Sequence, residues 1–438
     1  MKRAIITVGL GFGDEGKGAT VDYLVRKFNA DLVVRYCGGS QAGHNVQLPD
    51  GRRHTFAQFG AGTLADTVAR PRTYLGPNVI IDPPALLREA EHLAELGVRN
   101  PLELMTIHPR CLVTTFWHKT SNQLREMSRN KDKHGSCGQG IGAARAYWLK
   151  HGDDALFAAD LADRDVLRAK LELLRQRSLL ELQEFIDLIG TDHLRDMELW
   201  NVNTEAVARD LSETAFKGVA LAAELPACDA AIFEGAQGVL LDEYRGFHPY
   251  TTWSTVTAHH AWELVRQMEA EAVAVLGITR AYTTRHGEGP FPTHSAKLTE
   301  GLHDPGNPWN RWQGGVRCGW LDLPLLRYAA AAAGPLDGIV VNHLDQIASG
   351  AWQVCDEYQG MTLAPSAAPN LTWQSHLTQQ LREAKLLFAS ATQDGILSRL
   401  NEIAPVVLTG KGPTYQDRSF SGLRFRTRDR GRESPHEV

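Results

Sequence analysis

The sequence predicts an α/β protein with a mainly parallel central sheet flanked by helices. Three observations predict it. Ala4 to Val8 is a short, β-branched run that ends in Gly-Leu-Gly, as a buried strand feeding a glycine turn does. Residues 17–28 place Val21, Leu24, Val25 and Phe28 on one helical face, and Leu32 to Tyr36 follows as a second strand. Strand, glycine loop, helix, strand is the opening of a βαβ unit. Further apolar runs of strand length recur at Ala231–Phe233, Ala272–Ile278, Gly338–Asn342 and Val406–Thr409.

The remaining elements follow from local signals. Gly38-Gly39 reads as the break that ends the second strand. An amphipathic helix is expected over 84–96, after the paired prolines. Residues 160–190 are rich in Leu, Glu, Arg and Gln at helical spacing, which predicts a helical insertion with little chemistry. Leu323 to Ala333 is a helix closed by Gly334-Pro335, a stop followed by a breaker. No repeat or low-complexity linker interrupts the chain, so residues 1–420 read as one large domain. Residues 421–438 read as an arginine-rich tail, solvated from Arg424 onward.

Composition narrows the function. A chain of 438 residues with 43% hydrophobic content buries a large core. A net charge of −5 argues against a general nucleic-acid binder. Six cysteines lie scattered without C-x-x-C spacing, as reduced thiols of a cytoplasmic protein do. The opening apolar run soon meets Asp14, Glu15 and Lys17, and no later run has spanning length, so neither a leader nor a membrane span is expected.

The run Gly11-Phe-Gly-Asp-Glu-Gly-Lys-Gly18 is a P-loop-like phosphate loop at the start of a helix. Backbone N–H groups and the helix dipole favour an anion there, and glycines let the backbone approach phosphate oxygens. Lys17 adds a point charge. Gly11, Gly16 and Lys17 keep the P-loop spacing, but Gly18 stands where Ser or Thr would hold magnesium. Asp14, inside the loop, is the obvious carboxylate to replace it.

Gly13-Asp-Glu-Gly-Lys-Gly18 resembles the hallmark of the adenylosuccinate synthetase family. Other stretches agree in order: Val34–His44, Gly138–Gly142, Phe233–Gly238 with Leu240–Asp242 and Pro249-Tyr250, Arg280–Arg285 with Gly289–Thr293, Gly319–Asp322 and His343–Asp345. The likeness covers about residues 4 to 418. It implies a GTP-dependent ligase that transfers the γ-phosphate to O6 of IMP. The amino group of L-aspartate then displaces that phosphate, giving adenylosuccinate.

The resemblance also implies roles. Asp14 would take the proton from purine N1 and ligate Mg2+, helped by the Gly43 carbonyl. His44 would act as general acid, Lys17 would neutralise phosphate charge, and Gln237 would bond the purine near O6. Gly13, Glu15, Gly16 and Gly18 would cradle phosphates, with Gln41 from the second loop. Ser136, Cys137 and Thr252 would hold the monophosphate. His343, Asp345, Gly412 and Pro413 would hold the base of GTP. Gln313 and Arg317 would meet the amino acid. A homodimer is implied, because the family reaches the monophosphate with an arginine of the neighbouring subunit, at a position that falls here near Lys150-His151.

The chain departs from the family in its substrate loops. Ser40-Gln41 replaces His-Asn, and Ser136, Cys137 and Gln139 replace two threonines and an arginine. His343 replaces a lysine. Of an arginine run that grips carboxylates, only Arg317 stands before Gly319-Trp-Leu-Asp322, with Arg311 and Gln313 nearby. Loops of this kind are similar to the branch that includes phage 2-aminoadenylosuccinate synthases acting on dGMP. Three readings therefore stand: the ligase on IMP, the same chemistry on another purine or amine donor, and a nucleotide-sensing relative without catalysis.

Overall fold

A computed structural model describes residues 2–129, 133–189, 203–214, 218–302, 307, 309–347 and 352–427. The strands of the main sheet are β1 (Arg3–Gly9), β2 (Leu32–Arg35), β3 (Arg72–Leu75), β4 (Met105–Ile107), β5 (Ala220–Leu221), β6 (Ala230–Glu234), β7 (Ala272–Arg280), β8 (Gly338–Asn342), β9 (Val406–Gly410), β10 (Arg418–Phe420) and β11 (Arg426–Thr427). They lie in the order β5-β4-β3-β2-β6-β1-β7-β8-β9-β10, with β11 on the flank of β7. Pairing is parallel except for β10 on β9 and β11 on β7. The expected mainly parallel sheet is therefore present.

Alternation along β1 builds two cores. Ala4, Ile6 and Val8 face a layer with Leu264 and Leu325, while Ile5 faces one with Val21, Leu24 and Leu86. Being covered on both faces is why these strands read as continuous apolar runs rather than alternating ones. Strand order reverses around β1. Loops leaving the carboxyl ends of β1, β6, β7 and β8 therefore converge there, the usual ligand position in such sheets.

Three helices begin and end near their expected limits: α1 is Lys17–Phe28, α2 is Pro83–Glu95 and α5 is Arg164–Ile189; α3 (Phe116–Ser128) and α4 (Ile141–His151) were not expected. The helix expected from Leu323 to Ala333 has those bounds, and Asp322 caps it by accepting from the Leu325 N–H. One expectation is corrected and one is extended. Gly38-Gly39 does not merely break a strand; it pairs with Val79 and Ile80 in a second, three-stranded sheet. The start of the tail is exposed at Arg424, Arg426 and Thr427, yet it is ordered against the sheet: Arg426 and Thr427 pair with Val273 and Ala272, and Arg426 bonds Asp337 at 2.7 Å. Residue 190 of the expected insertion and 428–438 of the tail lie outside the described residues.

Candidate active site

The phosphate loop joins β1 to α1, and its chemistry starts with a missing cap. Gly16, at the N-cap of α1, sits in the left-handed region, and no side chain caps the helix. The first-turn N–H groups are left for an incoming anion. A Cβ at Gly18 would stand 2.6 Å from the His44 carbonyl carbon. The close approach of α1 to the strand His44–Gln47 thus explains why Ser or Thr cannot occupy position 18.

Glu15 and Lys17 are both buried in the loop. The Glu15 carboxylate accepts from the N–H groups of Gly11 at 3.0 Å and Gly13 at 2.8 Å, and it pairs with the Lys17 ammonium. Glu15 is therefore an internal brace for the loop rather than a group facing ligand. The loop is also bolted from β8: Asn342 Nδ2 donates to the Glu15 carbonyl at 2.7 Å, while its Oδ1 accepts from Arg418 at 2.7 Å.

A cavity of about 1360 Å³ opens over the loop. Its walls bring together Gly13, Asp14, Gly16, Lys17, Gly18, Gln41, Gly43, His44, Ser136, Cys137, Gln237, Thr252, Gln313, His343, Asp345, Gly412 and Pro413. These come from eight stretches of sequence, so their meeting is a strong result of the fold. Two expected site residues, Glu15 and Arg317, are not among the lining residues described. Arg317 instead donates to the Gly287 carbonyl at 2.6 Å and lies over the Phe291 ring, so it supports a turn.

Asp14, Gln237 and His343 share an unusual backbone. Their φ angles are 60°, 56° and 59°, in the left-handed region that disfavours side chains. Each sits in the loop leaving a different strand of the sheet centre, β1, β6 and β8. Such positions persist where surrounding structure holds them, and they cluster at functional sites. The Gln237 Oε1 is buried with no hydrogen-bond partner among the described residues, and so is that of Gln41. Two amides with open bonding capacity in one cavity suit a polar ligand.

Charge in the site is arranged by burial and partners. Burial alone would raise the Asp14 carboxyl. The hydrogen bond from His286, with the charges of His286, Arg280 and Lys17, outweighs it and holds the group below the usual carboxylate range. His44 is lowered chiefly by burial, so its imidazole is neutral at pH 7. Its Nδ1 is hydrogen-bonded to the Glu234 carboxylate at the end of β6, which leaves Nε2 for a ligand. Glu234 also accepts from the Ala61 N–H at 3.0 Å and lies 4.0 Å from Arg35.

Sequence reasoning missed Glu234, His286 and Asn342 as functional residues. A buried acid at the end of a strand was the available signal for Glu234. Nothing local marks His286 or Asn342, which act across 272 and 327 positions of sequence.

The cavity wall near Ser136 is carried by α3, whose Asn122 Oδ1 accepts from the Ser136 hydroxyl at 2.9 Å. Thr115 and His118 close its start as a capping box, with the Thr115 N–H donating to His118 Nδ1 at 3.1 Å. Burial pushes His118 down to about 3. A histidine lowered on folding binds fewer protons than in the unfolded chain. Its contribution is whole above pH 6.5 and is lost as pH falls toward 3. His118→Gln keeps the capping geometry without the titration. We expect it to lose about 2 kcal/mol less stability than wild type between pH 7 and pH 5. Urea midpoints at the two pH values check this, and equal losses would refute it.

The chain also matches known proteins. Residues 6–385 match the profile of a family described as adenylosuccinate synthetase. The chain belongs to the adenylosuccinate synthetase family. It is 33% identical over 347 residues to an adenylosuccinate synthetase of Clostridium botulinum, covering 79% of this chain and 78% of that one. It is also 33% identical over 367 residues to one of Francisella tularensis subsp. novicida, covering 81% of each. Two solved structures share the fold. A fully ligated adenylosuccinate synthetase of Plasmodium falciparum superposes with a TM-score of 0.76 at 18% identity, over 95% of this chain and 99% of that one. A cyanophage S-2L succinoaminodeoxyadenylate synthetase, bound to dGMP and to dATP as an energy donor, gives 0.56 at 18% identity over 96% of each chain. This adenylosuccinate synthetase family member is thus a ligase of nucleotide chemistry. Among its described residues no helix is long and apolar enough to cross a membrane.

Proposed function

We propose that the protein is a GTP-dependent ligase that joins L-aspartate to a 6-oxopurine nucleotide, IMP first, through a 6-phosphoryl intermediate. One observation carries the reading: Asp14, Lys17, His44 and Gln237 face one cavity of about 1360 Å³. That exceeds the roughly 300–1,000 Å³ of a site for one ligand and suits two nucleotides placed end to end.

Each residue then has work that matches its environment. Asp14, kept anionic, takes the N1 proton so that O6 becomes a nucleophile. Gln237 offers its open amide near O6. Lys17 and the uncapped N–H groups of α1 stabilise phosphate charge. His44 is neutral without ligand. A polyanion beside Nε2 raises its proton affinity and lets it serve as general acid toward the leaving phosphate. Ser136, Cys137 and Thr252 hold the monophosphate, and Asp345, His343, Gly412 and Pro413 hold the base of GTP. Gln313 remains the contact for the amino acid.

The Asp14 carboxylate and the Gly43 carbonyl are hard oxygen donors on the same cavity, and they fit Mg2+. That ion, when bound, supplies neutralisation of phosphate charge. In this reading the protein is a cytoplasmic homodimer, with the Lys150–His151 end of α4 offered to the partner's monophosphate.

The test is a phosphate-release assay over IMP, dIMP, GMP and dGMP, with GTP or ATP and several amino acids. The protein's mass is measured by light scattering in the same buffer. IMP with GTP and aspartate is expected to give the highest kcat/KM on a dimer. Turnover confined to dGMP would overturn the purine assignment, and full activity in a monomer would remove the shared site. Tight nucleotide binding with no turnover on any pair would leave a sensor instead.

A further inference from the structure

Four successive contacts fasten the phosphate loop to the stretch that follows β7. Arg280 Nε donates to the Asp14 carbonyl, and Thr284 Oγ1 donates to the Gly13 carbonyl at 3.4 Å. Phe12 forms a backbone bridge with Arg285. His286, the next residue, places Nε2 3.2 Å from Asp14 Oδ2. The first three contacts locate the loop backbone. His286 reaches the carboxylate itself, where the reaction requires a particular rotamer.

The turn bearing His286 is itself rigidly braced. Arg285 donates to the Glu288 carbonyl at 3.1 and 2.8 Å and to the Pro290 carbonyl at 2.7 Å. Arg317 holds the Gly287 carbonyl at 2.6 Å from the other side. Gly287 sits at φ 68°, packed against Gly135. Two partly or fully buried arginines committed to four carbonyls, the fourth being that of Gly289 at 3.5 Å from Arg317, are more than an ordinary loop needs. It makes sense if the imidazole between them must not move.

We propose that His286 is a positioning residue for the ligation: it holds the Asp14 carboxylate through one lone pair of Oδ2 and so sets Oδ1 toward the purine, with the remaining lone pairs open to Mg2+. The proposal rests on the ligase reading above. Without His286 the carboxylate has Lys17 and Arg280 as competing cations nearby, both of which bear on it electrostatically. A swing toward either displaces the base by an ångström or more. Misplacement on that scale costs on the order of 100-fold in rate. Arg317 contributes at one remove, through the turn, which also accounts for its place outside the cavity lining.

The test uses His286→Leu, which removes the donor, and His286→Gln, which keeps an N–H at similar reach. His286→Asn, polar but shorter, stands in if the leucine variant does not fold. We expect His286→Leu or His286→Asn to lower kcat about 10- to 100-fold, with KM for the triphosphate within about twofold. His286→Gln should recover all but about fivefold of the loss. In an Asp14→Asn background, His286→Leu should cost nothing further, because it acts through that carboxylate. A merely structural role would move KM and thermal stability together and would not distinguish Gln from Leu. Three results overturn the proposal: kcat within twofold of wild type in His286→Leu, equal losses in Leu and Gln, or losses that add to that of Asp14→Asn. Wild type inert on every substrate pair overturns the ligase reading, and this role with it, before any variant is compared.

Discussion

Asp14→Asn lowers kcat by about 1000-fold or more, while triphosphate affinity stays within about threefold of wild type. Asparagine tolerates the left-handed backbone at φ 60° as well as aspartate does, so the loop keeps its shape. It also retains a carbonyl oxygen to accept from His286. What is lost is the anion proposed to take the N1 proton, and about 4 kcal/mol is the corresponding rise in barrier. Phosphate cradling is left to the N–H groups of α1 and to Lys17, which the substitution does not touch. Single-turnover rates together with calorimetric binding of GTP separate the two effects. A variant within tenfold of wild type would show that another group removes the proton.

Glu234→Gln is expected to damage both stability and catalysis. One carboxylate serves three partners here: His44 through Oε1, the Ala61 N–H through Oε2 at 3.0 Å, and Arg35 at 4.0 Å. A glutamine has one acceptor oxygen. If that oxygen takes His44, its NH2 group faces the Ala61 N–H; if it takes Ala61, the NH2 group faces His44 Nδ1 and demands the wrong tautomer. Either way Arg35, which is 2% exposed, loses its counter-charge. Breaking one partner out of a buried charge cluster costs about 3–5 kcal/mol. We expect a loss of that size in denaturant unfolding and a fall of about 100-fold in kcat from misdirected His44. The wild-type carboxyl is itself held low: burial raises it, but the Arg35 charge and the hydrogen bonds from His44 and the Ala61 N–H outweigh that. Its stabilisation is therefore present above pH 4.5 and disappears as pH falls through the lower folded value. Unchanged stability in Glu234→Gln would mean that Arg35 is satisfied elsewhere, beginning with the Phe59 carbonyl it already reaches at 3.3 Å.

Much of this arrangement was legible beforehand because it is local. Strand runs such as Ala272–Arg280, buried at every position, announce a covered parallel sheet. A glycine-rich turn ahead of a helix announces an anion site. Asp14, Lys17, His44 and Gln237 were readable because each lies inside a dense motif, and the fold does bring them to one cavity. Two kinds of feature were not readable. Side-chain direction in a tight loop is one: Glu15 stands beside Asp14 in sequence, yet it turns inward because two backbone N–H groups and Lys17 hold it. Long-range pairing is the other. Arg317 looks like a carboxylate anchor in sequence, but its guanidinium meets carbonyls some thirty residues earlier. The pairing of Arg426 with Asp337, 89 positions apart, likewise draws the start of the tail onto the sheet without any apolar signal.

The left-handed backbone shared by Asp14, Gln237 and His343 bears on thermostability engineering. Each such position carries on the order of 1 kcal/mol of conformational cost that glycine would not. A campaign that ranks substitutions by stability alone will therefore favour glycine at all three and report a hardier protein. It will do so by deleting the groups proposed as proton acceptor, purine amide and contact for the triphosphate base, so selection for heat resistance here must be run with turnover measured alongside.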